Sequence, residues 1–381
     1  MGRPPALSKF FPILCIEVLI FREQEKLSYL AVLEISVSTR LSEEEFAVAI
    51  RLLKKNSSIH AVSTFLKRRE QVSSAGSWDS LVDLRLKPAL QRGDLTREDF
   101  LKLIRESEEF GRQHVFLYRC PRAEAANLVN EDVIRKRLAA LDLENLLTRP
   151  RIVESPRGLQ LVDVRLEPFK KSRSLIIKAV DVRRHRELIG TQRTGNTETL
   201  TYELREERAV NVIRIASDGM TEVRIQSHRN AIEYANQAEG LFAKCTGILD
   251  RLLFEDFSLS RARLNMIKNR KSLSRVVRFG ENTLRSKKGG AVKVSTSSWM
   301  KNMFDDDEEL EGSVESFISK GRGRTNCDTV NCTWVKLSDN SGPLSDIHTF
   351  IGGANNEFVI IPRCERLDYE YVLEKITSLS D

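Results

Sequence analysis

Histidine is scarce in this chain. Its 381 residues hold five, at positions 60, 114, 185, 228 and 348. None sits in a nucleophile motif, so Ser–His or Cys–His hydrolysis has little to build on. Phosphate-cradling loops are missing as well. No G-x-x-x-x-G-K-[ST] occurs and no G-x-G-x-x-G joins a strand to a helix, while "GRGR" at 321–324 has neither the spacing nor the context. Six cysteines are scattered at 15, 120, 245, 327, 332 and 364, which gives no disulfide framework and points to a reducing, intracellular setting, cytoplasm or nucleus. The close pair in "CDTVNC" has no second pair and no nearby histidine, which argues against zinc. "FFPILCIEVLIF" (10–21) is interrupted by Pro12 and Glu17, lacks a small-residue cleavage site and is too short to span a bilayer. It reads as a buried strand or helix edge. No cofactor, metal or membrane is expected.

Charge, by contrast, is plentiful. With 41% hydrophobic and 30% charged residues the composition is that of a globular protein. The net charge of +7 is unevenly spread: residues 1–150 carry 24 basic and 21 acidic side chains, 151–290 carry 28 against 17, and 291–381 carry 9 against 16. A basic centre followed by an acidic C-terminal part favours an electrostatic partner for the middle of the chain.

The periodicity changes along the chain. "SEEEFAVAIRLLKK" opens with Ser42 and Glu45 at capping-box spacing and repeats Phe46, Ile50 and Leu53 on one face. Three more helical stretches run to Gly111, with Pro88 expected to bend one of them and Trp78 to anchor the core. "HVFLYRCP" (114–121) reads as a strand and "NEDVIRKRLAALDLENLL" as a further helix. After Arg151 the period is two, and Asp218-Gly219 in "SDGM" signals a type I′ hairpin. One sheet face is expected to carry Val210, Val212 and Ile225 or their neighbours. The opposite face would carry Arg165, Arg183, Arg214 and Arg224. The fold class is α+β, an N-terminal helical bundle followed by a mostly antiparallel β-rich domain with flanking helices. The expected segments are an N-terminal extension (1–40), a helical domain (41–150), a basic β-rich domain (151–290), and an acidic linker with a C-terminal α/β segment (291–381).

The most concentrated signal is "SRARLNMIKNRKSLSRVVRFGENTLRSKKGG" (260–290), with ten Lys or Arg against Glu281 alone. Arg261, Arg263, Lys268, Arg270, Lys271, Arg275, Arg278, Arg285, Lys287 and Lys288 could neutralise phosphates, and binding by six to ten such contacts is steeply salt-dependent. Phe279 is its one aromatic, so a duplex backbone suits it better than base stacking. Arg183, Arg184, His185 and Arg186 form a second basic cluster. The competing reading pairs the basic run with "DDDEELE" (305–311) of the same chain. A metal-dependent nuclease would need paired carboxylates, for which Asp163, Glu167, Asp218 and Glu222 are the candidates.

The spacing of Glu206, Glu207, Ala209, Val210, Ile213, Arg214, Ile215 and Ala216 resembles a strand of the centromere protein N family. That family pairs a pyrin-like helical domain with a curved β-rich domain and binds nucleosomal DNA through basic surface. The resemblance covers about ten residues and the domain order, and it implies a DNA-binding role without assigning contact residues. The expected function is therefore non-catalytic, sequence-independent contact with duplex DNA (RNA stays open), with a protein partner on the helical domain. A scaffold subunit and a nuclease are the alternatives.

Overall fold

A computed structural model describes residues 41–68, 75–169, 172–228, 233–296, 302–305, 307–321, 324–339 and 341–380. The apolar run at 10–21 lies outside them. The fold is α+β, and its contacts divide the chain into two units, Met1–Leu103 and Ile104–Asp381.

In the first unit the capping box forms as its spacing demands: the Glu45 amide donates to Ser42 Oγ (3.1 Å) and the Ser42 amide to Glu45 Oε2 (3.3 Å), opening the helix Glu43–Asn56. Thr96 and Asp99 trade backbone amides in the same way ahead of the helix that starts at Arg97. Pro88 has no amide to give, and the helix carrying it changes form just upstream: Trp78–Leu81 and Lys87–Arg92 are α-helical, while Val82–Leu86 between them is a π turn. Leu53, Leu66, Leu81, Leu86 and Phe100 fill the core, and Phe46 meets Phe100 edge-on at 5.5 Å. Trp78 is only half-buried. The anchoring role expected of it falls to Phe100, which is fully buried.

The second unit is built on one eleven-stranded sheet. Its strands are β1 (Gly111–Arg119), β2 (Gln160–Phe169), β3 (Ser172–Thr194), β4 (Thr197–Ala216), β5 (Met220–Gln226), β6 (Glu255–Asp256), β7 (Val277–Arg285), β8 (Ala291–Ser295), β9 (Asn326–Trp334), β10 (Ile347–Ile351) and β11 (Glu357–Arg363). They lie in the order β2-β3-β4-β5-β1-β11-β10-β9-β7-β8, with β6 paired to β1. The sheet thus draws strands from three of the four expected segments.

β1 explains why "VFLY" is continuously apolar. Phe116 and Tyr118 enter a core with Ile177, Ile213, Val223 and Phe242. Val115 and Leu117, pointing the other way, enter a second core with Phe279, Trp334, Phe358 and Tyr369. A strand buried on both faces loses the alternation of a half-exposed one. The helix Tyr234–Lys244 closes the first core, and the helices Ser260–Lys268 and Arg366–Ser378 close the second.

The β4–β5 hairpin is where "SDGM" places it, but the turn differs. Among the described residues only Gly219 of this loop has a positive φ (92°), and its amide donates to Ala216 O (2.9 Å). A type I′ turn needs two positive φ values, so this is a three-residue loop with one left-handed glycine. A Cβ on Gly219 would meet Cys120 O at 2.3 Å, so the loop also depends on close approach to the end of β1.

The face assignment needs correcting too. Lys178, Val212 and Arg224 stand in register, as do Ile176, Arg214 and Glu222. Val210 and Val212 therefore share a face with Arg165, Arg214 and Arg224, while Ile225 and Arg183 belong to the other. Strand parity alone could not reveal this, because the arginine-rich face is itself buried.

Candidate functional site

The cations of the basic run mostly meet acids of their own chain. Arg270 is 3% exposed, lies over the Phe304 ring and reaches Glu315 (2.7 Å) and Glu311 (3.7 Å); Lys271 pairs with Glu311 (2.8 Å). Glu311 belongs to the "DDDEELE" stretch. Arg275 pairs with Asp339, Arg278 with Asp346 and Arg285 with Asp328. Arg263 is buried and donates to Cys327 O (2.9 Å) and Ser260 Oγ (3.2 Å). Arg263 and Arg270 are thus structural, and neither reaches a phosphate without unfolding its surroundings. Lys268, Lys287 and Lys288 are exposed, with no partner among the described residues, and Arg261 is exposed as well.

The second cluster is divided by strand alternation. Arg183 is buried and donates to Gln226 O. His185 is buried too, edge-on to His228 at 5.8 Å. Arg184 and Arg186 point outward, and Arg184 pairs with Glu206 (2.8 Å).

Arg165, Arg214 and Arg224 belong to a buried charged layer. Arg165 binds Glu109 (2.6 Å), Asp163 (2.8 Å) and Glu167 (2.6 Å). Lys178 lies 3.0 Å from Glu108 and 3.3 Å from Glu109, and Arg208 lies 2.7 Å from Glu108. Arg214 joins Glu222 to Glu370, and the Tyr369 hydroxyl donates to Glu222 (2.6 Å). Burial pushes the Glu109 carboxyl up, but Arg165, Lys178 and Arg224 outweigh it and hold the group down to about 2. Burial and the adjoining Glu222 raise the Tyr369 phenol well above its ordinary value. The carboxylates considered for a nuclease are occupied here: Asp163 by Arg105 and Arg165, Glu167 by Arg165 and Arg366, Glu222 by Arg214. Asp218 accepts from the Met220 amide in its hairpin. This layer holds the sheet to the last helix and leaves no open carboxylate pair. Cys327 and Cys332 lie in the apolar core, where burial pushes both thiols up to about 12.

The exposed feature that the sequence reading did not single out is the outer part of the β3–β4 hairpin. β2 leaves β3 at Val180 and β5 leaves β4 at Asn211, so beyond these points the two strands pair only with each other among the described residues. They close at Gly195-Asn196, with Gly195 at φ 61°, the positive value a two-residue hairpin turn requires of its first residue. Leu188 pairs with Tyr202, Thr191 with Leu200 and Arg186 with Leu204. Leu200, Tyr202 and Leu204 alternate onto one face and Leu188 stands opposite Tyr202, so the four share one face of the ribbon, and a bulge at Ile189 brings Thr191 and Arg193 onto it. Leu188, Leu200, Tyr202 and Leu204 are 50%, 45%, 50% and 63% exposed. The other face is mostly polar, with Glu187, Gln192, Thr199, Thr201, Glu203 and Arg205, and the bulge residue Ile189 is itself 58% exposed. The signal was present in the sequence as apolar alternation over strands of 23 and 20 residues, far beyond the usual five or six.

No protein-family model matches the chain, and no curated protein matches its sequence. Among the described residues, no helix is long and apolar enough to cross a membrane.

Proposed function

We propose that this protein is a non-catalytic interaction subunit whose β3–β4 ribbon docks onto another polypeptide. The observation that carries the reading is the apolar face of Leu188, Leu200, Tyr202 and Leu204 on a ribbon whose strands, among the described residues, pair only with each other. Fully burying one such side chain stabilises by roughly 1.5–3 kcal/mol, so four half-exposed ones offer a few kcal/mol to a partner. Contiguous apolar surface rimmed by charge is the mark of a docking site.

Duplex DNA is the weaker reading. A two-stranded ribbon fits a major groove, but residues 184–207 carry four arginines against five glutamates. Among the described residues only Lys268, Lys287 and Lys288 of the basic run have no partner, fewer than the six to ten contacts of a steeply salt-dependent binder. The resemblance to the centromere protein N family rests on the domain order and on Glu206–Ala216, and eight of those eleven residues, 209–216, lie in the buried part of β4.

The test is site-specific photo-cross-linking in cells, with a photoreactive residue in place of Tyr202 and a control in place of Lys287. Covalent adducts to polypeptide at 202 and not at 287 are expected. Equal or absent adducts at both sites, together with a salt-sensitive DNA shift abolished by Lys268→Glu/Lys287→Glu/Lys288→Glu, would return the function to nucleic acid.

A further inference from the structure

The charges rimming the ribbon face are sorted by strand. β3 contributes Arg184, Arg186 and Arg193, and β4 contributes Glu198 and Glu206. Arg184 stands opposite Glu206 at the base and Arg193 opposite Glu198 near the tip, with the apolar residues between them. The tip thus carries one cation on the β3 side and one anion on the β4 side, and the base carries two cations, Arg184 and Arg186, against Glu206.

We propose that the occupant of this face is a second copy of the same chain, packed face to face with both ribbons running in the same direction; the inference rests on the docking-arm reading above. The charge sorting selects this arrangement. A two-fold axis parallel to the ribbons lays β3 of one copy over β4 of the other. Arg184 then faces Glu206 of the second copy, Arg193 faces Glu198, and Leu188 meets Tyr202 in the middle. A two-fold axis across the ribbons would lay β3 over β3, with Arg184 over Arg193 and Glu206 over Glu198, like charge on like. Repulsion of that kind costs several kcal/mol at an interface. The face is self-complementary about one axis only, as an isologous contact requires. The existing Arg184–Glu206 pair (2.8 Å) would become half of a ring of four alternating charges. From Arg184 to Arg193 the ribbon runs roughly 30 Å at the ordinary rise per residue. One ribbon face of that length falls at the low end of interface sizes, so the dimer dissociates on dilution.

The experiment measures the solution mass of the full chain by sedimentation across a concentration series. Four samples are compared: the wild type, Glu198→Arg/Glu206→Arg, Arg184→Glu/Arg193→Glu, and an equimolar mixture of the two variants. The wild type should rise from the mass of one chain towards two. Each variant should stay at one, with an unchanged melting transition, and the mixture should recover the rise because an all-basic rim then meets one with four acids against Arg186 alone. Asn196→Cys at the tip should form a disulfide-linked dimer under mild oxidation, with the wild type as control, since only the same-direction arrangement brings the tips together. A wild type that stays at one chain throughout overturns the second copy. The Tyr202 cross-link, going solely to other polypeptides, would then leave the docking arm standing. A dimer indifferent to the charge variants, or one whose tips do not cross-link, also overturns the proposal.

Discussion

The inner and outer parts of the β3–β4 hairpin share two strands and one alternating pattern, yet they end in opposite environments. Ile177 and Ile213, a cross-strand pair in the inner part, are fully buried. Leu188 and Tyr202, a pair in the outer part, are each half-exposed. Arginines differ likewise: Arg214 is 2% exposed and bound to Glu222, while Arg184 stands on the open ribbon against Glu206. The side chains are of similar kinds in both halves. What differs is whether β2 and β5 flank the pair, because flanking strands extend the sheet that the helices then cover. Alternation therefore specifies a two-sided strand but not its solvent, and the same motif serves as core in one place and as contact surface in another.

The contrast can be broken most severely through the buried layer. Glu109→Ala leaves Arg165, Lys178 and Arg224 short of a buried partner and should cost about 3–5 kcal/mol, read by chemical denaturation. Ile213→Ala in the inner hairpin should cost about 2–5 kcal/mol, whereas Leu204→Ala in the outer part should stay within about 0.5 kcal/mol in the isolated chain. Equal costs at the two positions would show that the outer ribbon is covered in solution. Acid sharpens the comparison further. The Glu109 carboxyl is held down to about 2 from 4.5, so the unfolded chain binds its proton first, and stability present above pH 4.5 declines as pH falls from there towards 2. Glu109→Gln should remove that part of the acid sensitivity, and an unchanged pH profile would contradict the charged layer. The smallest effect belongs to the exposed run: Arg275→Ala, losing only its surface pair with Asp339, should shift stability by about 0–1 kcal/mol.

Several parts of this architecture were legible in the residues. Ser42 and Glu45 announced the first described helix, Gly219 the β4–β5 hairpin, and the unbroken apolar run Val115–Tyr118 a strand. Other parts were not, for physical reasons. Asp218 shared the prediction of a two-residue turn, yet one left-handed glycine closes a three-residue loop equally well. Arg214 and Arg224 looked like a basic surface because their face is buried: Glu222 meets Arg214 from the next strand, while Glu109 and Glu370, which complete the neutralisation, lie far away in sequence. The basic run misled in the same way: Arg275, Arg278 and Arg285 find Asp339, Asp346 and Asp328 more than forty positions downstream. Local charge density is visible in a sequence, but neutralisation across a sheet depends on strand order. The docking face was overlooked because Leu188 to Leu204 resembles core until the lengths of β3 and β4 are known.

The position of β1 has a consequence for how the protein is made. It lies between β5 and β11, and His114 on β1 bonds to Glu357 on β11 across 243 positions. At about 5–20 residues per second, β1 leaves the ribosome at least about 12 seconds before its second neighbour exists. During that interval Val115 and Leu117 lack the far half of their core, and the edge of β1 that β11 will take has only the two residues of β6 to pair with. An unsatisfied apolar edge of this kind is open to wrong pairing. The nascent chain thus has reason to need shielding until its last strand and helix arrive, which makes C-terminal truncation a hazard to the centre of the sheet as well as to its end.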